Sequence, residues 1–213
     1  MKLCVFDFDS TLMDGETIDF LAEDYGVGDR VRAITEAAMR GELDFFEALL
    51  KRVELLRGMS AARAREVCES LPLMNGAAEC VRELKRLGFC VMILSGGFRL
   101  ATDFALGKLG ADVAFANILH EKDGVLTGLV GGEMLFNFSK GDLLERIQAV
   151  LGAGIKDTIA IGDGANDRAM FARADMRIAF CAKETLRREA NVIIDQKDLR
   201  LVLDAIKKRF AIG

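Results

Sequence analysis

Short apolar runs alternate with amphipathic segments along most of the chain. The runs that predict strands are Lys2–Phe8, Phe89–Leu94, Thr158–Ile161, Arg177–Phe180 and Val192–Ile194. The segments that predict amphipathic helices include Gly76–Leu87, Leu143–Leu151 and Leu199–Phe210. Because strands that alternate with helices form βαβ units, we expect an α/β fold with a doubly wound, mostly parallel sheet. Ligands of such sheets bind beyond the carboxyl ends of the strands.

One interval of the chain breaks this alternation. From about residue 16 to residue 74 there is no strand-like run, and Phe45, Leu49 and Val53 recur at helical spacing. Because this interval is too long for one crossover helix, we predict a small helical cap of residues 16–74, inserted into an α/β catalytic core of residues 1–15 and 75–213. The alternating stretch Val113–Glu133, which contains Asp123 and Gly124, predicts a β-hairpin.

Two acidic clusters follow predicted strands. Asp7 and Asp9 end the first strand, and residues two apart on a strand face the same side, so we expect their side chains to emerge close together. Asp163 and Asp167 follow a later apolar strand. Two acidic clusters at strand ends, with oxygen ligands and no histidine, predict a Mg²⁺ site. The alternative for the first cluster is an Asp-rich turn that caps the next helix.

Two further segments are suited to binding a phosphate. Ser95, Gly96 and Gly97 follow an apolar strand and could form an anion cradle at a helix N-terminus. Ser139 is predicted to be the N-cap of a helix that places Lys140 in its first turn. A lysine opposes the helix dipole there, which is better tolerated if it neutralises an anion. A simple glycine turn and a solvated lysine are the alternatives.

Composition narrows the classes of function. The 213 residues allow one domain, or one domain that carries a smaller one. A net charge of −4 and a pI near 5.2 argue against a nucleic-acid or polybasic membrane partner. With His120 as the single histidine, acid–base chemistry is expected to depend on carboxylates. Five irregularly spaced cysteines, no signal peptide and no apolar run of about 20 residues predict a soluble cytoplasmic protein with reduced thiols.

The order of the motifs carries a resemblance to a known family. Asp7-x-Asp9-x-Thr11, then Ser95, then Lys140, then Gly162-Asp163-Gly164-x-Asn166-Asp167 resembles the four motifs of the haloacid-dehalogenase-like phosphatase superfamily. Three longer stretches are similar to the members that act on phosphoserine, namely Phe6–Leu12 with Glu16, Ser95–Phe98, and Gly162–Asp167 with Met170. The resemblance covers essentially the whole chain.

The resemblance implies an activity and a mechanism. It implies a Mg²⁺-dependent phosphomonoester hydrolase that converts O-phosphoserine to serine and phosphate, the closing step of serine biosynthesis. Asp7 would be the nucleophile that forms an aspartyl-phosphate. Asp9 would be the general acid and then the general base, with a pKa raised by burial beside Asp7. The Asp7 side chain, the Asp9 backbone carbonyl and Asp163 would hold the metal.

The resemblance also implies the substrate contacts. The implied contacts are Ser95, the Gly96 amide, Lys140 and Asn166 near the phosphoryl group, with Glu16 and Arg52 for the ammonium and carboxylate of phosphoserine. Asp167 would support the metal site or orient Lys140, and Met39 and Phe45 would line the cap or belong to its core. Without the resemblance, Glu16 and Arg52 would be interpreted as solvated helix charges.

Three alternative functions stay open at the level of sequence. A phosphotransferase on the same scaffold could pass the phosphoryl group to another alcohol such as homoserine. A related phosphatase could select another phosphorylated metabolite through its cap. A non-catalytic protein could have kept the fold and bind a phosphorylated ligand.

Overall fold

The computed structural model describes residues 1–211 and places them in an α/β fold. The strands in this range are β1 (Lys2–Phe6), β2 (Phe89–Phe98), β3 (Val113–Lys122), β4 (Val125–Gly131), β5 (Thr158–Gly162), β6 (Met176–Phe180) and β7 (Val192–Ile194). They form one sheet of order β4-β3-β2-β1-β5-β6-β7, in which only the β3–β4 pair is antiparallel. The predicted mostly parallel, doubly wound sheet is confirmed.

Helices cover the sheet and fill the interval after β1. They are α1 (Thr17–Tyr25), α2 (Gly28–Met39), α3 (Phe45–Glu54), α4 (Ala61–Glu69), α5 (Ala77–Arg86), α6 (Arg99–Leu109), α7 (Ser139–Leu151), α8 (Arg168–Phe171), α9 (Glu184–Arg187) and α10 (Arg200–Arg209). Among residues 1–211, no helix has the length and apolar character needed to cross a bilayer.

The order of the strands places a crevice between β1 and β5. The chain runs outward from β1 through β2 to β3, and later returns to β5 on the other side of β1. β1 is buried on both faces: Cys4 and Phe6 pack into one apolar cluster, and Leu3 and Val5 into another. The carboxyl ends of β1 and β5 therefore meet at a topological switch point, where open α/β sheets bind their ligands.

Four helices, α1 to α4, occupy the interval that was predicted to be helical. A capping box begins α3, because the Asp44 carboxylate accepts the Glu47 amide (2.8 Å) and the Glu47 carboxylate accepts the Asp44 amide (3.2 Å). The two ends of the interval lie side by side, since the Asp14 amide donates to the Pro72 carbonyl (2.9 Å). The division into a cap of residues 16–74 and a core stays a prediction.

The predicted β-hairpin is formed by β3 and β4. Its turn is Asp123-Gly124, and both residues have positive φ, 52° and 80°, as a two-residue hairpin turn requires. The Gly58 amide donates to the Leu126 carbonyl (2.8 Å), and the Leu126 amide donates to the Met59 carbonyl (2.8 Å). Strand β4 of the hairpin thus hydrogen-bonds to the helical interval, and strand β3 pairs with β2 of the main sheet.

Candidate active site

Asp7 comes directly after β1, and its side chain is almost fully buried. Its Oδ1 atom accepts the Phe8 amide (2.6 Å) and lies 2.7 Å from the Lys140 ammonium nitrogen. Its Oδ2 atom has no protein partner within residues 1–211. Burial and the nearby charge of Asp167 raise the pKa of Asp7, while Lys140 acts in the opposite direction. Oδ1 of Asp7 is therefore held in place, and Oδ2 is available to react with a ligand.

Lys140 lies in the first turn of α7 and joins two acids. Its ammonium nitrogen is 2.7 Å from Asp7 Oδ1 and 2.6 Å from Asp167 Oδ1. Burial would lower the pKa of Lys140, but the charges of Asp167 and Asp7 outweigh it and raise that pKa. The predicted N-cap was wrong: α7 begins at Ser139 itself, and the Ser139 hydroxyl accepts the Phe136 amide (3.2 Å) instead.

Asp163 and Asp167 lie in the turn after β5. Asp167 Oδ2 accepts the amides of Asp163 and Gly164, each at 3.0 Å, so both oxygens of Asp167 have partners. A Cβ atom at Gly162 would lie 2.3 Å from Asp167 Oδ2, and only glycine permits this approach. Asp167 is thereby held between the turn and Lys140.

The arrangement of acids fits a divalent metal. Asp7, Asp163 and Asp167 each offer an oxygen, and these three oxygens lie within 4.8 Å of one another. When the three carboxylates are ionised, they and the Lys140 ammonium together give this buried cluster a net charge of −2 (−3 + 1). Burial, and then the charge of Asp167, raise the pKa of Asp163 to about 7. Hard oxygen donors with two uncompensated negative charges suit a hard dication such as Mg²⁺.

Asp9 is oriented differently from Asp7. β1 ends at Phe6, and the chain then makes a kinked turn over Phe8–Leu12, so the strand alternation predicted for the two acids was wrong. Asp9 Oδ1 accepts the Thr17 amide (2.9 Å) and the Thr17 hydroxyl. Burial raises the pKa of Asp9, and the hydrogen bonds from Thr17 oppose this effect.

The Ser95-Gly96-Gly97 segment belongs to the end of β2. Its predicted placement at a helix N-terminus was wrong, because β2 continues to Phe98 and α6 begins only at Arg99, while its role as an anion cradle stays a prediction. The register between β2 and β3 is irregular between Leu94 and Phe98. A Cβ atom at Gly97 would lie 2.4 Å from Asp9 Oδ2, so a side chain is excluded there. The segment therefore packs directly against Asp9.

Glu16 and Arg52 supply a half-buried acid and a half-buried cation on the helical side. Glu16 Oε1 accepts the Ser10 hydroxyl (2.8 Å). Burial, followed by the charges of Asp9 and Asp163, raises the pKa of Glu16 to about 8. Burial lowers the pKa of Arg52, and the charges of Glu16, Asp19 and Asp9 oppose that effect. Arg52 is half-buried close to these acids, and its Nε atom donates to the Ala48 carbonyl (3.2 Å).

Of the other residues named from the sequence, three lie together and two lie on exposed elements. A Cβ atom on Gly96 would lie 3.2 Å from the Phe45 ring and 3.6 Å from Asn166 Nδ2, so these three residues meet. Met39, at the end of α2, is 69% exposed. His120 is on the exposed hairpin, where its Nδ1 atom is 2.9 Å from the Thr127 hydroxyl.

Sequence reasoning missed two residues of the site. Thr17, the partner of Asp9, is fully buried, and a polar residue next to Glu16 at the start of an amphipathic helix was the available signal. Asn117, also fully buried, hydrogen-bonds to Gly96 and Met134. Nothing in the apolar pattern around Asn117 distinguishes it from an exposed strand residue.

Comparison with known proteins gives consistent results. The haloacid dehalogenase-like hydrolase family model matches residues 1–175. The phosphoserine phosphatase of Wolinella succinogenes is 57% identical over 203 residues, which are 95% of this chain and 98% of that protein. A solved phospho-aspartyl intermediate analogue of phosphoserine phosphatase is 46% identical, with a TM-score of 0.91 over 96% of this chain and 98% of its own. A substrate-bound phosphoserine phosphatase complex is 45% identical, with a TM-score of 0.91 over 96% and 97%.

Proposed function

The chain belongs to the haloacid dehalogenase-like hydrolase family, and we propose that it hydrolyses O-phosphoserine to serine and inorganic phosphate. One observation carries the choice of substrate. The half-buried side chains of Glu16 and Arg52 lie beside the Asp9 turn: Glu16 accepts the hydroxyl of Ser10, the residue after Asp9, and the charge of Asp9 acts on both Glu16 and Arg52. Phosphoserine has an ammonium and a carboxylate besides its phosphate, so an acid and a base next to the phosphoryl site match it.

Asp7 is the nucleophile of the first step. Its oxygen attacks phosphorus, the bond from phosphorus to the seryl oxygen breaks, and an aspartyl-phosphate forms. Asp9 gives its proton to the leaving seryl oxygen. The pKa of Asp9, raised by burial, keeps that proton available, and Oδ2 is the oxygen that Thr17 leaves unoccupied.

Asp9 changes its role in the second step. Its carboxylate takes a proton from a water molecule, the water oxygen bonds to phosphorus, and the bond between phosphorus and Asp7 breaks. Inorganic phosphate leaves, the Asp7 carboxylate is restored and Asp9 again carries a proton. No histidine is required, because a carboxylate is already a nucleophile at neutral pH.

Other residues hold the phosphoryl group during both steps. The Ser95 hydroxyl, the Gly96 amide and Lys140 neutralise the charge that spreads over the phosphoryl oxygens, and Asn166 contacts the same group. The Asp7 side chain, the Asp9 carbonyl and Asp163 would hold Mg²⁺, which when bound would supply positive charge beside the phosphoryl group. Asp167 positions Lys140 through the contact of 2.6 Å.

The helices of residues 16–74 act as a cap over this site. Phe45 at the start of α3 lies against Gly96, which closes the crevice from above. Phe46 packs on Phe136 with ring centroids 5.0 Å apart, and Phe136 stacks on Phe138 (5.2 Å) just before α7. These rings stabilise the closed arrangement, which excludes bulk water from the aspartyl-phosphate.

Substrate selection is tested by assaying two arginine variants, one at the site and one control, against a panel of phosphomonoesters. Arg52→Met is expected to raise the KM for phosphoserine roughly 10- to 150-fold, because charge-assisted hydrogen bonds contribute about 1.5–3 kcal/mol. It should change kcat/KM for p-nitrophenyl phosphate by less than about threefold, because that ester has no carboxylate. Arg57→Met is the control, since Arg57 lies on the solvent side of the same interval.

The same assay tests the reaction itself. The wild-type protein is expected to prefer O-phosphoserine over p-nitrophenyl phosphate and glycerol phosphate in kcat/KM. With homoserine added, phosphate and serine should still appear in equal amounts. A strong preference for another ester, or a phosphorylated alcohol as product, would refute the proposal.

Metal dependence is tested by thermal unfolding as well as by activity. Removal of divalent metal with EDTA should abolish turnover, and Mg²⁺ should restore it. Saturating Mg²⁺ should raise Tm by about 5–10 °C, because binding at 100-fold over Kd stabilises by about 2.7 kcal/mol. Asp163→Asn should lose this shift and Asp195→Asn, at an exposed ion pair, should keep it. Equal shifts in both variants would exclude the acid cluster as the site.

A further inference from the structure

Asn117 is a fully buried polar residue of β3 to which the mechanism above assigns no role. Its side-chain amide is completely engaged by backbone groups. Nδ2 donates to the Gly96 carbonyl (3.1 Å) and to the Met134 carbonyl (3.0 Å), and Oδ1 accepts the Met134 amide (3.0 Å). One side chain therefore links the Ser95–Gly97 segment to the segment that leads into α7 and Lys140.

The peptide between Gly96 and Gly97 needs such an anchor. A peptide between two glycines has little conformational restriction from side chains of its own, so its orientation depends strongly on its hydrogen bonds. Asn117 holds its carbonyl oxygen, and the Ser95 hydroxyl oxygen accepts its N–H, donated by Gly97, at 2.9 Å. Both polar ends of this peptide are thus fixed.

The orientation of this peptide determines where the Ser95 hydroxyl can donate. The hydroxyl has one hydrogen, and within residues 1–211 that hydrogen has no protein acceptor. Because the oxygen already accepts the Gly97 amide, the hydrogen points away from that amide and is free for a ligand. If the peptide rotated, the Ser95 hydroxyl would lose this constraint and could turn to another acceptor.

We propose that Asn117 is a positioning residue that acts through the Gly96–Gly97 peptide to aim the Ser95 hydroxyl at the phosphoryl oxygens. The inference rests on the proposed function for the identity of the ligand group at Ser95. It also accounts for the full burial of Asn117, since its three hydrogen bonds all go to backbone atoms at the edge of the site.

A double-mutant cycle separates positioning from simple stabilisation of the fold. Asn117→Leu is expected to lower kcat/KM for phosphoserine about 10- to 100-fold, as misplacement of a catalytic contact does. Ser95→Ala removes the hydroxyl that Asn117 aims. In the Ser95→Ala background, Asn117→Leu should lower kcat/KM by less than about threefold, because residues that act through one another are not additive.

Gln148→Met is the matched control. Gln148 is also a buried amide that donates two hydrogen bonds, to the Thr158 hydroxyl (2.7 Å) and the Arg173 carbonyl (2.8 Å), but it lies near the amino end of β5, away from the site. The Gln148→Met variant should have a lower Tm than the wild type and an unchanged kcat/KM. If Asn117→Leu behaves like Gln148→Met, or if its effect is the same with and without Ser95, the proposal is refuted.

A second Asn117 variant and a phosphate-binding measurement complete the test. If Asn117→Leu does not fold, Asn117→Ser replaces it, since a small hydroxyl leaves room for water to bind the exposed backbone groups. Calorimetric Kd values for inorganic phosphate are measured for the same four proteins of the cycle. Asn117→Leu should weaken phosphate binding only when Ser95 is present. If the wild type fails to hydrolyse phosphoserine, the proposed function fails, and the phosphate cycle still decides the role of Asn117.

Discussion

Asp7→Asn is expected to abolish turnover, with a loss in kcat of about four orders of magnitude or more. A carboxamide oxygen does not attack phosphorus, so no aspartyl-phosphate forms. The variant should nevertheless fold. Asparagine keeps an oxygen for the Phe8 amide, and it reduces the net charge of the acid cluster from −2 to −1 (−2 + 1).

The stability of this variant carries a separate expectation. The pKa of Asp7 is raised in the folded protein, so its ionised form costs folding free energy above the pKa of the unfolded chain. At neutral pH without metal, neutral Asn at this position should therefore leave Tm unchanged or raise it. Kinetic assay and thermal unfolding are measured on the same sample. Asp175→Asn is the control and should retain full activity, because Asp175 directly precedes β6 and so lies at the end of the strands opposite to the site.

Retained turnover in Asp7→Asn would overturn the assignment of the nucleophile. A variant that is inactive because it is unfolded would contradict the charge argument. The expected combination is a native circular dichroism spectrum with no product released.

Lys140→Met is expected to have the largest effect on stability. Removal of one partner of a buried ion pair leaves uncompensated charge, which costs about 3–5 kcal/mol in the free energy of unfolding. Asp7 and Asp167 would be left facing each other without the ammonium that lies within 2.7 Å of both. Turnover should also fall by about 10²–10³, because a donor to the developing phosphoryl charge is lost.

A compensating change and a surface control make this expectation specific. Asp167→Asn added to Lys140→Met should recover part of the lost stability, since it removes one of the uncompensated acids. Lys85→Met breaks a more exposed ion pair with Asp112 and should cost no more than about 1 kcal/mol. Denaturant unfolding measures all three variants. Equal losses for the two lysine variants would show that the Lys140 pair contributes no more than a surface contact.

Much of the fold could be predicted because the apolar period of each segment is a local property. The period-two and helical patterns predicted the alternation of strands and helices, the helical interval after β1 and the hairpin around Asp123-Gly124. The ends of the elements near the site were less predictable. β1 stops at Phe6 and β2 continues to Phe98, because the turns at the site are determined by hydrogen bonds such as those of Asp7 and Ser95.

The sequence alone showed which residue types are available for chemistry: carboxylates after predicted strands, Lys140 at a predicted helix start, and His120 as the single histidine. Only the tertiary structure decided their partners. Lys140 pairs with Asp7 and Asp167, Asp9 turns to Thr17, and Asn117 reaches Gly96 from a neighbouring strand. The physical reason is that a buried polar group takes its hydrogen-bond partner from whichever distant segment packs against it. Periodicity along the chain records which side of an element is buried, and it contains no information about that neighbour.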